Sequence, residues 1–250
     1  MQLDRIAVLS FDCYGTLVDW ERGILDALSP WRARTGLAVD DEALLAAFAE
    51  EEAAQERETP SLRYDLLLAR VGARLGRRFG APMREDEQRA FGASVGDWPP
   101  FPDSAEALAR LARAVPLVVL SNVDEASIRR SAARLGDPFA ALLTAEAIGS
   151  YKPDLRNFAY LLGFVRGRGW PREGLAHVAQ SLFHDHVPAA AVGIPSIWID
   201  RRAGRPGGAT PPPARPVAPA LRFPDLASFA RAFEAARRGR AARGDTDLGA

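Results

Sequence analysis

Apolar positions along the chain fall into two kinds of pattern. Short continuous runs recur at Ile6–Phe11, Leu117–Leu120, Ala176–Ala179 and Ser196–Ile199. Val and Ile are frequent in them, and none alternates cleanly with polar residues. Strands buried on both faces of a parallel sheet have this pattern. Between the runs, apolar residues recur at helical spacing. Asp103 precedes a segment carrying Leu108, Leu111 and Ala112, with Glu106 placed as the acid of a capping box. Asp124 opens another segment, with Ile128, Ala132 and Leu135 on one face and Gly136 as its stop. Strand and helix in alternation predict a doubly wound, parallel α/β sheet.

The interval from 20 to 98 breaks this rhythm. It holds no convincing strand and much helix former, with Leu44 and Phe48, then Leu62 and Leu66, at helical spacing. An all-helical insert is expected there, closing near Trp98-Pro99-Pro100. The expected organisation is therefore a core of residues 1–19 and 99–250 and an inserted helical unit of residues 20–98. Glu50-Glu51-Glu52 is expected as a solvated helix face. Trp20, Trp31 and Trp98 are candidates for a cleft between insert and core, although apolar residues usually just pack. The run from 201 to 220 is rich in Pro, Gly and Arg and is expected as a solvated loop. The polar tail after Arg237 is expected to fray.

Composition narrows the function. The 250 residues carry 32 basic and 32 acidic side chains, so the net charge is zero. That gives no electrostatic reason to expect nucleic acid or an anionic membrane as a partner. The one cysteine, Cys13, excludes an internal disulfide framework and suits a reducing cytoplasm. No apolar stretch approaches the roughly 20 residues of a membrane span. The N-terminus lacks a signal peptide's pattern.

Ligands of open α/β sheets bind beyond the carboxyl ends of the strands. Asp12, Tyr14 and Thr16 follow the first expected strand, and Ser121 and Asn122 follow the second. Lys152 lies in a loop, and Ser181 and Asp185 follow a later strand. Singly these are ordinary: Asp12 is a plausible helix cap, and Ser121-Asn122 a common turn pair. The ordered set of carboxylate, hydroxyls, lysine and second carboxylate is what carries information. Cys13 is expected to pack. His184 and His186 flank Asp185 and are candidates for tuning it, but they make no convincing zinc site. His177 is expected only to pack within its strand.

The stretches "FDCYGTLVDW", "LSNVD", "YKPD" and "QSLFHD" resemble, in order, the four motifs of the haloacid dehalogenase superfamily of hydrolases. The resemblance covers nearly the whole chain and implies a Rossmann-like core with a helical cap inserted after the first strand. It implies Asp12 as the nucleophile forming a covalent ester, which divides one hard substitution into two easier ones. Lys152 would keep Asp12 ionised. Thr16, Ser121, Asn122 and turn N–H groups would hold nucleophile and substrate. Asp185 would orient or deprotonate the hydrolytic water.

Two departures point within the superfamily. Its phosphatases carry an acid two residues after the nucleophile, to protonate the leaving alcohol, and this chain has Tyr14. They also carry paired acids in the fourth motif for Mg²⁺, and the first of these is here Ser181. Both departures resemble the (S)-2-haloacid dehalogenases, implying a small anionic substrate, a halide leaving group and no cofactor. The alternative is a Mg²⁺-dependent phosphatase with Asp12 and Asp185 at the metal. A catalytically weak binding protein on the same fold is the third option, opposed by the presence of Asp12, Lys152 and Asp185. Other positions depart from the dehalogenases. The cap arginine that takes the halide is absent from "LLAAFAEEEAAQ", with Arg57, Arg63 or a residue of another loop as candidate replacements. Leu182 and Phe158 stand where an asparagine and a tyrosine are usual. Members are often dimers, so a homodimer is expected by analogy.

Overall fold

A computed structural model describes residues 1–203, 209–210 and 212–242. Six strands form one parallel sheet in the order β3-β2-β1-β4-β5-β6. They are β1 (Val8–Phe11), β2 (Leu117–Ser121), β3 (Ala141–Thr144), β4 (Leu175–Ala179), β5 (Ser196–Ile199) and β6 (Leu221–Phe223). The four expected strands are present, and the two missed ones, β3 and β6, are the sheet's edges. An edge strand is half-covered and short, so its apolar run is too brief to stand out. The central strands β1, β2 and β4 are buried at every position.

Alternation along each strand sends successive residues to opposite faces. Leu9, Phe11, Leu117, Val119, Ala176 and Val178 join one core cluster. This cluster includes α5 (Ser104–Ala112) and α10 (Leu226–Ala242). Val8, Val118, Leu120 and Leu175 pack on the other face against α8 (Leu155–Gly167) and α9 (Val187–Ala191). Both faces are covered, which is why the strands read as unbroken apolar runs.

Helices alone occupy the interval between β1 and the start of α5, apart from short turns. They are α1 (Trp20–Thr35), α2 (Asp41–Glu58), α3 (Tyr64–Arg78) and α4 (Glu85–Ala93). Asp19 and Asp40 cap the first two by accepting from the N–H groups of Arg22 and Ala43. The buried stripe of α3 is Tyr64, Leu67, Leu68, Val71 and Leu75. The expected phase was wrong there: Leu62 precedes the helix, and Leu66 is exposed. Trp31 and Trp98 pack in the core, and Trp20 reaches the cavity described below. Beyond the cap, α6 (Glu125–Arg134) opens on Asp124 as expected, and α7 (Ala145–Ile148) follows β3.

Several other expectations need correction. Asp103 precedes α5 but does not cap it; its carboxylate bonds Arg201 Nη1 at 2.8 Å and accepts from Ala227 N at 3.0 Å. The arginines opening the 201–220 stretch are not solvated. Arg201 donates to Thr16 O behind the turn that follows Asp12, and Arg202 pairs with Glu21 and Glu42 of the cap. Residues 204–208 and 211 of that stretch lie outside the described residues. The chain after Arg237 continues α10 to Ala242 rather than fraying at once, since Arg237 and Arg240 anchor it to Ile6 O and Asp4 O. Residues 243–250 lie outside the described residues. Among the described residues, no helix is long and apolar enough to cross a membrane.

Candidate active site

Asp12 follows β1 directly, and the chain then turns tightly. The N–H groups of Thr16, Leu17 and Val18 all donate to Cys13 O, at 3.3, 2.7 and 3.0 Å. Gly15 makes the turn possible: its φ is +86°, and a Cβ there would stand 2.9 Å from Trp20 Nε1. The turn folds Thr16 Oγ1 back to donate to Asp12 Oδ2 at 2.7 Å. Gln180 N donates to the same hydroxyl at 2.9 Å, which leaves its proton for Asp12. Among the described residues, the N–H groups of Cys13, Tyr14 and Asn122 make no hydrogen bond, so they remain available as donors.

The Lys152 loop is clamped onto the end of β2. Asn122 Nδ2 donates to Lys152 O at 2.9 Å, and Lys152 N donates to Asn122 Oδ1 at 2.6 Å. The buried ammonium then uses all three protons, on Asp12 Oδ1 (2.9 Å), Leu120 O (2.9 Å) and Asp185 Oδ1 (2.6 Å). Asp185 lies on a single π-helical turn, Leu182–His186, that opens with Ser181 Oγ accepting from His184 N at 2.9 Å. Its Oδ1 also accepts from His177 Nε2 at 2.9 Å, whereas its buried Oδ2 has no partner among the described residues. His177 is held in turn by Ser10, from Oγ to Nδ1 at 2.9 Å.

These contacts set the charges. Burial opposes the Lys152 charge, but Asp12 and Asp185 outweigh it and hold the ammonium well above its usual range. Burial likewise pushes Asp185 upward, but Lys152 and His177 hold its carboxyl far below the usual carboxylate range. Burial dominates at Asp12 and raises it, against the pull of Lys152 and with repulsion from Asp185. Burial and the neighbouring Asp12 push the Cys13 thiol well up, which keeps it inert as a nucleophile.

A cavity of about 30 Å³ lies over this group, room for about two waters. Asp12, Ser121, Lys152, Ser181 and Asp185 line it from the core. Trp20, Glu52, Glu56 and Tyr64 close it from the cap. Ser121 Oγ is buried there without a partner among the described residues.

All eight candidate residues therefore border one cavity or, like Thr16, touch Asp12 directly. Two act differently from expectation. Tyr14 lines the cavity, but its hydroxyl bonds Ser131 Oγ at 2.9 Å and its ring packs edge-on against Trp98. Asn122 positions the lysine loop and also donates to Glu56 Oε1 at 3.1 Å. Arg57 is exposed, and Arg63, also exposed, pairs with half-buried Asp65, so neither replaces the missing cap arginine. Phe158 is buried against His177, with ring centroids 5.2 Å apart.

Two features escaped sequence reasoning. His177 was expected to pack, but the β1–β4 register sets it beside Ser10 and within reach of Asp185. The Glu50–Glu52 run was expected to be solvated, yet Glu52 is only 5% exposed and Glu56 only 9%. Both continue the buried stripe of Leu45, Phe48 and Ala49 along α2. One available signal went unused: Lys152 is the sole lysine beside 31 arginines. A chain that otherwise always uses arginine keeps lysine where a compact ammonium must fit between two carboxylates. Among the described residues, no group of three or more His, Cys, Asp or Glu is disposed to hold a metal ion.

Solved structures share this architecture. A defluorinating L-2-haloacid dehalogenase, Rha0230, is 21% identical over 92% of this chain and 95% of its own, with a TM-score of 0.75. The L-2-haloacid dehalogenase of Xanthobacter autotrophicus, with chloropropionic acid covalently bound, is 17% identical over 92% and 98%, with a TM-score of 0.75. The Bacillus subtilis protein YfnB, bound to magnesium, is 14% identical over 92% and 99%, with a TM-score of 0.73. At these identities the likeness establishes the fold alone. A search of curated proteins gave no match. The family description that matches residues 6–167 is haloacid dehalogenase-like hydrolase, and on that match the chain belongs to that family of hydrolases.

Proposed function

We propose that the chain hydrolyses the carbon–halogen bond of a short (S)-2-haloacid without a metal ion, releasing halide and a 2-hydroxy acid. The observation that carries this reading is the Lys152 ammonium bridging Asp12 and Asp185. Magnesium wants about six oxygen ligands in octahedral array. Here Oδ1 of both carboxylates already accepts from Lys152, and Ser181 stands where a third acid would be. The donor set does not suit the ion, and the ammonium supplies the positive charge instead.

The chemistry runs on this chain's own residues. One Asp12 oxygen attacks the halogen-bearing carbon; the new C–O bond forms as the C–X bond breaks, and its electron pair leaves with the halide. Ser121 Oγ and the free N–H groups of Cys13, Tyr14 and Asn122 suit the substrate carboxylate, which is adjacent to the reacting carbon. Water then attacks the Asp12 ester carbonyl and the ester C–O bond breaks; the departing oxygen takes up the proton that Asp185 receives from the water, giving the 2-hydroxy acid, and the Asp12 acid loses its proton to solvent. Asp185 Oδ2, buried and without a partner among the described residues, would orient that water and receive its proton. The small cavity favours substrates of two or three carbons. The expected soluble, cytoplasmic setting and a homodimer complete the proposal.

The test is halide release from 2-chloropropionate in EDTA, with Asp12→Asn as control. Release without metal, abolished by the substitution, is the expected result. Phosphate release from phosphomonoesters only on adding Mg²⁺, with no halide release, would overturn it in favour of a phosphatase.

A further inference from the structure

In-line displacement places the departing group opposite the attacking oxygen. Asp12 attacks from the core, so the leaving group meets the cap wall of the cavity: Trp20, Glu52, Glu56 and Tyr64. Among the described residues, no basic side chain lies in that wall, and Lys152 has no proton left to give. Two polar atoms do converge there. Glu56 Oε1 is held by Asn122 Nδ2, which leaves Oε2 facing His184 Nε2 at 4.0 Å. His184 Nε2 is buried and has no hydrogen-bond partner among the described residues. The ring's other nitrogen lies 3.2 Å from Ser181 Oγ, whose hydroxyl proton has no other acceptor among the described residues; in the tautomer where the serine donates to Nδ1, the ring proton lies on Nε2.

We propose that the Glu56 carboxyl and the His184 Nε2–H form the seat of the departing halide, two neutral donors replacing a cationic side chain. This rests on the carbon–halogen reading of the site. Two donors 4.0 Å apart can share one acceptor between them. The halide leaves with the bonding pair and is hydrogen bonded in place; Glu56 keeps its proton, and no other reactant is needed.

The surroundings keep both donors neutral. Burial pushes Glu56 well above the usual carboxylate range, and Glu52 one helical turn away adds to the effect. Asn122, Lys152 and Arg57 pull the other way and lose. Burial holds His184 down to about 4, against the attraction of Asp185 and with help from Lys152. Tyr64 of α3 bonds Glu52, and burial holds both Tyr64 and Tyr151 in the neutral form. The sign for Glu56 is fixed: the donor exists below its raised pKa and becomes a repelling carboxylate as pH rises through it.

Chloride binding, followed by ³⁵Cl NMR line broadening from pH 6 to 9.5, tests the seat without requiring turnover. Chloride release from 2-chloropropionate is measured beside it. Wild type is expected to bind chloride at pH 6 and to weaken with rising pH. Glu56→Gln keeps an uncharged donor and should bind at both ends of the range. Glu56→Ala should weaken chloride at least tenfold at pH 6 and lower kcat with little change in KM. Chloride binding unchanged in Glu56→Ala, or tightening with pH, overturns the seat. Chloride bound as expected, but no halide released from any 2-haloacid, overturns the proposed reaction and leaves the anion seat standing.

Discussion

Glu52 offers a quantitative test of how this cap is built. Its carboxyl is 5% exposed, and Oε1 accepts from the Tyr64 hydroxyl. Burial raises its pKa from the ordinary 4.5 to about 7, and the Tyr64 hydrogen bond only partly opposes this. The folded state therefore holds a proton that the unfolded chain releases near pH 4.5. Stability falls across the window from 4.5 to about 7, and above it the loss is complete. The difference of 2.5 pKa units, from 7 minus 4.5, corresponds to about 3 kcal/mol at roughly 1.4 kcal/mol per unit. Glutamine keeps the shape and the carbonyl that Tyr64 donates to, but never ionises. Glu52→Gln should match wild type within about 1 kcal/mol at pH 5 and exceed it by about 3 kcal/mol at pH 8.5. Urea unfolding followed by tryptophan fluorescence reads this directly. With a denaturant slope of about 2–3 kcal/mol per molar, the midpoint at pH 8.5 should rise by roughly 1 M. An equal difference at both pH values, or a less stable variant at pH 8.5, would refute the argument that Glu52 is buried at an ionisation cost.

Two further outcomes follow from particular contacts. Because Lys152 is the only lysine, ¹⁵N-lysine labelling should give a single side-chain ammonium resonance. That resonance should persist above pH 10.5, the ordinary lysine value; disappearance below it would mean the two carboxylates do not hold the charge. Gly92→Ala should destabilise the cap by about 1–3 kcal/mol, since its Cβ would lie 2.1 Å from Asp65 O where α4 crosses α3. An unchanged melting temperature would show that the two helices are not in contact there.

The sequence disclosed the core far better than the cap, and for a physical reason. Asp12, Ser121 and Ser181 each end or follow a strand buried on both faces, so an apolar run announces them. A parallel sheet brings such strand ends together whatever the order of the strands, so their convergence needed no knowledge of the register. His177 did need it. Its role depends on lying opposite Ser10 across the β1–β4 ladder, and a histidine within an apolar strand otherwise looks like packing. The cap acids failed differently. Glu50, Glu51 and Glu52 are consecutive, and a helix points consecutive residues in different directions. Glu50 pairs with Arg78 at the surface, Glu51 pairs with Arg74, and Glu52 turns inward. Composition suggests a charged face; only the helical phase set by Leu45 and Phe48 separates the buried acid from its neighbours.

Charge ties the two halves of the site together. Asp12, Asp185 and Lys152 leave the buried centre one negative charge in excess, and a haloacid carboxylate would add a second. With Glu52 and Glu56 both ionised, four negative charges would share one small cavity, and their mutual repulsion at low dielectric would exclude the substrate. In the proposed reaction, neutral cap acids are therefore a condition of anion binding as well as of halide departure. Formation of the ester would then remove the Asp12 charge while the halide gains one, so that displacement would move a negative charge from the Lys152 end toward the cap. A fixed cation in the cap would attract that charge strongly and would also retain the product. Neutral donors attract it less, and they let go more readily as pH rises, which is the direction the chloride titration of Glu56 is designed to detect.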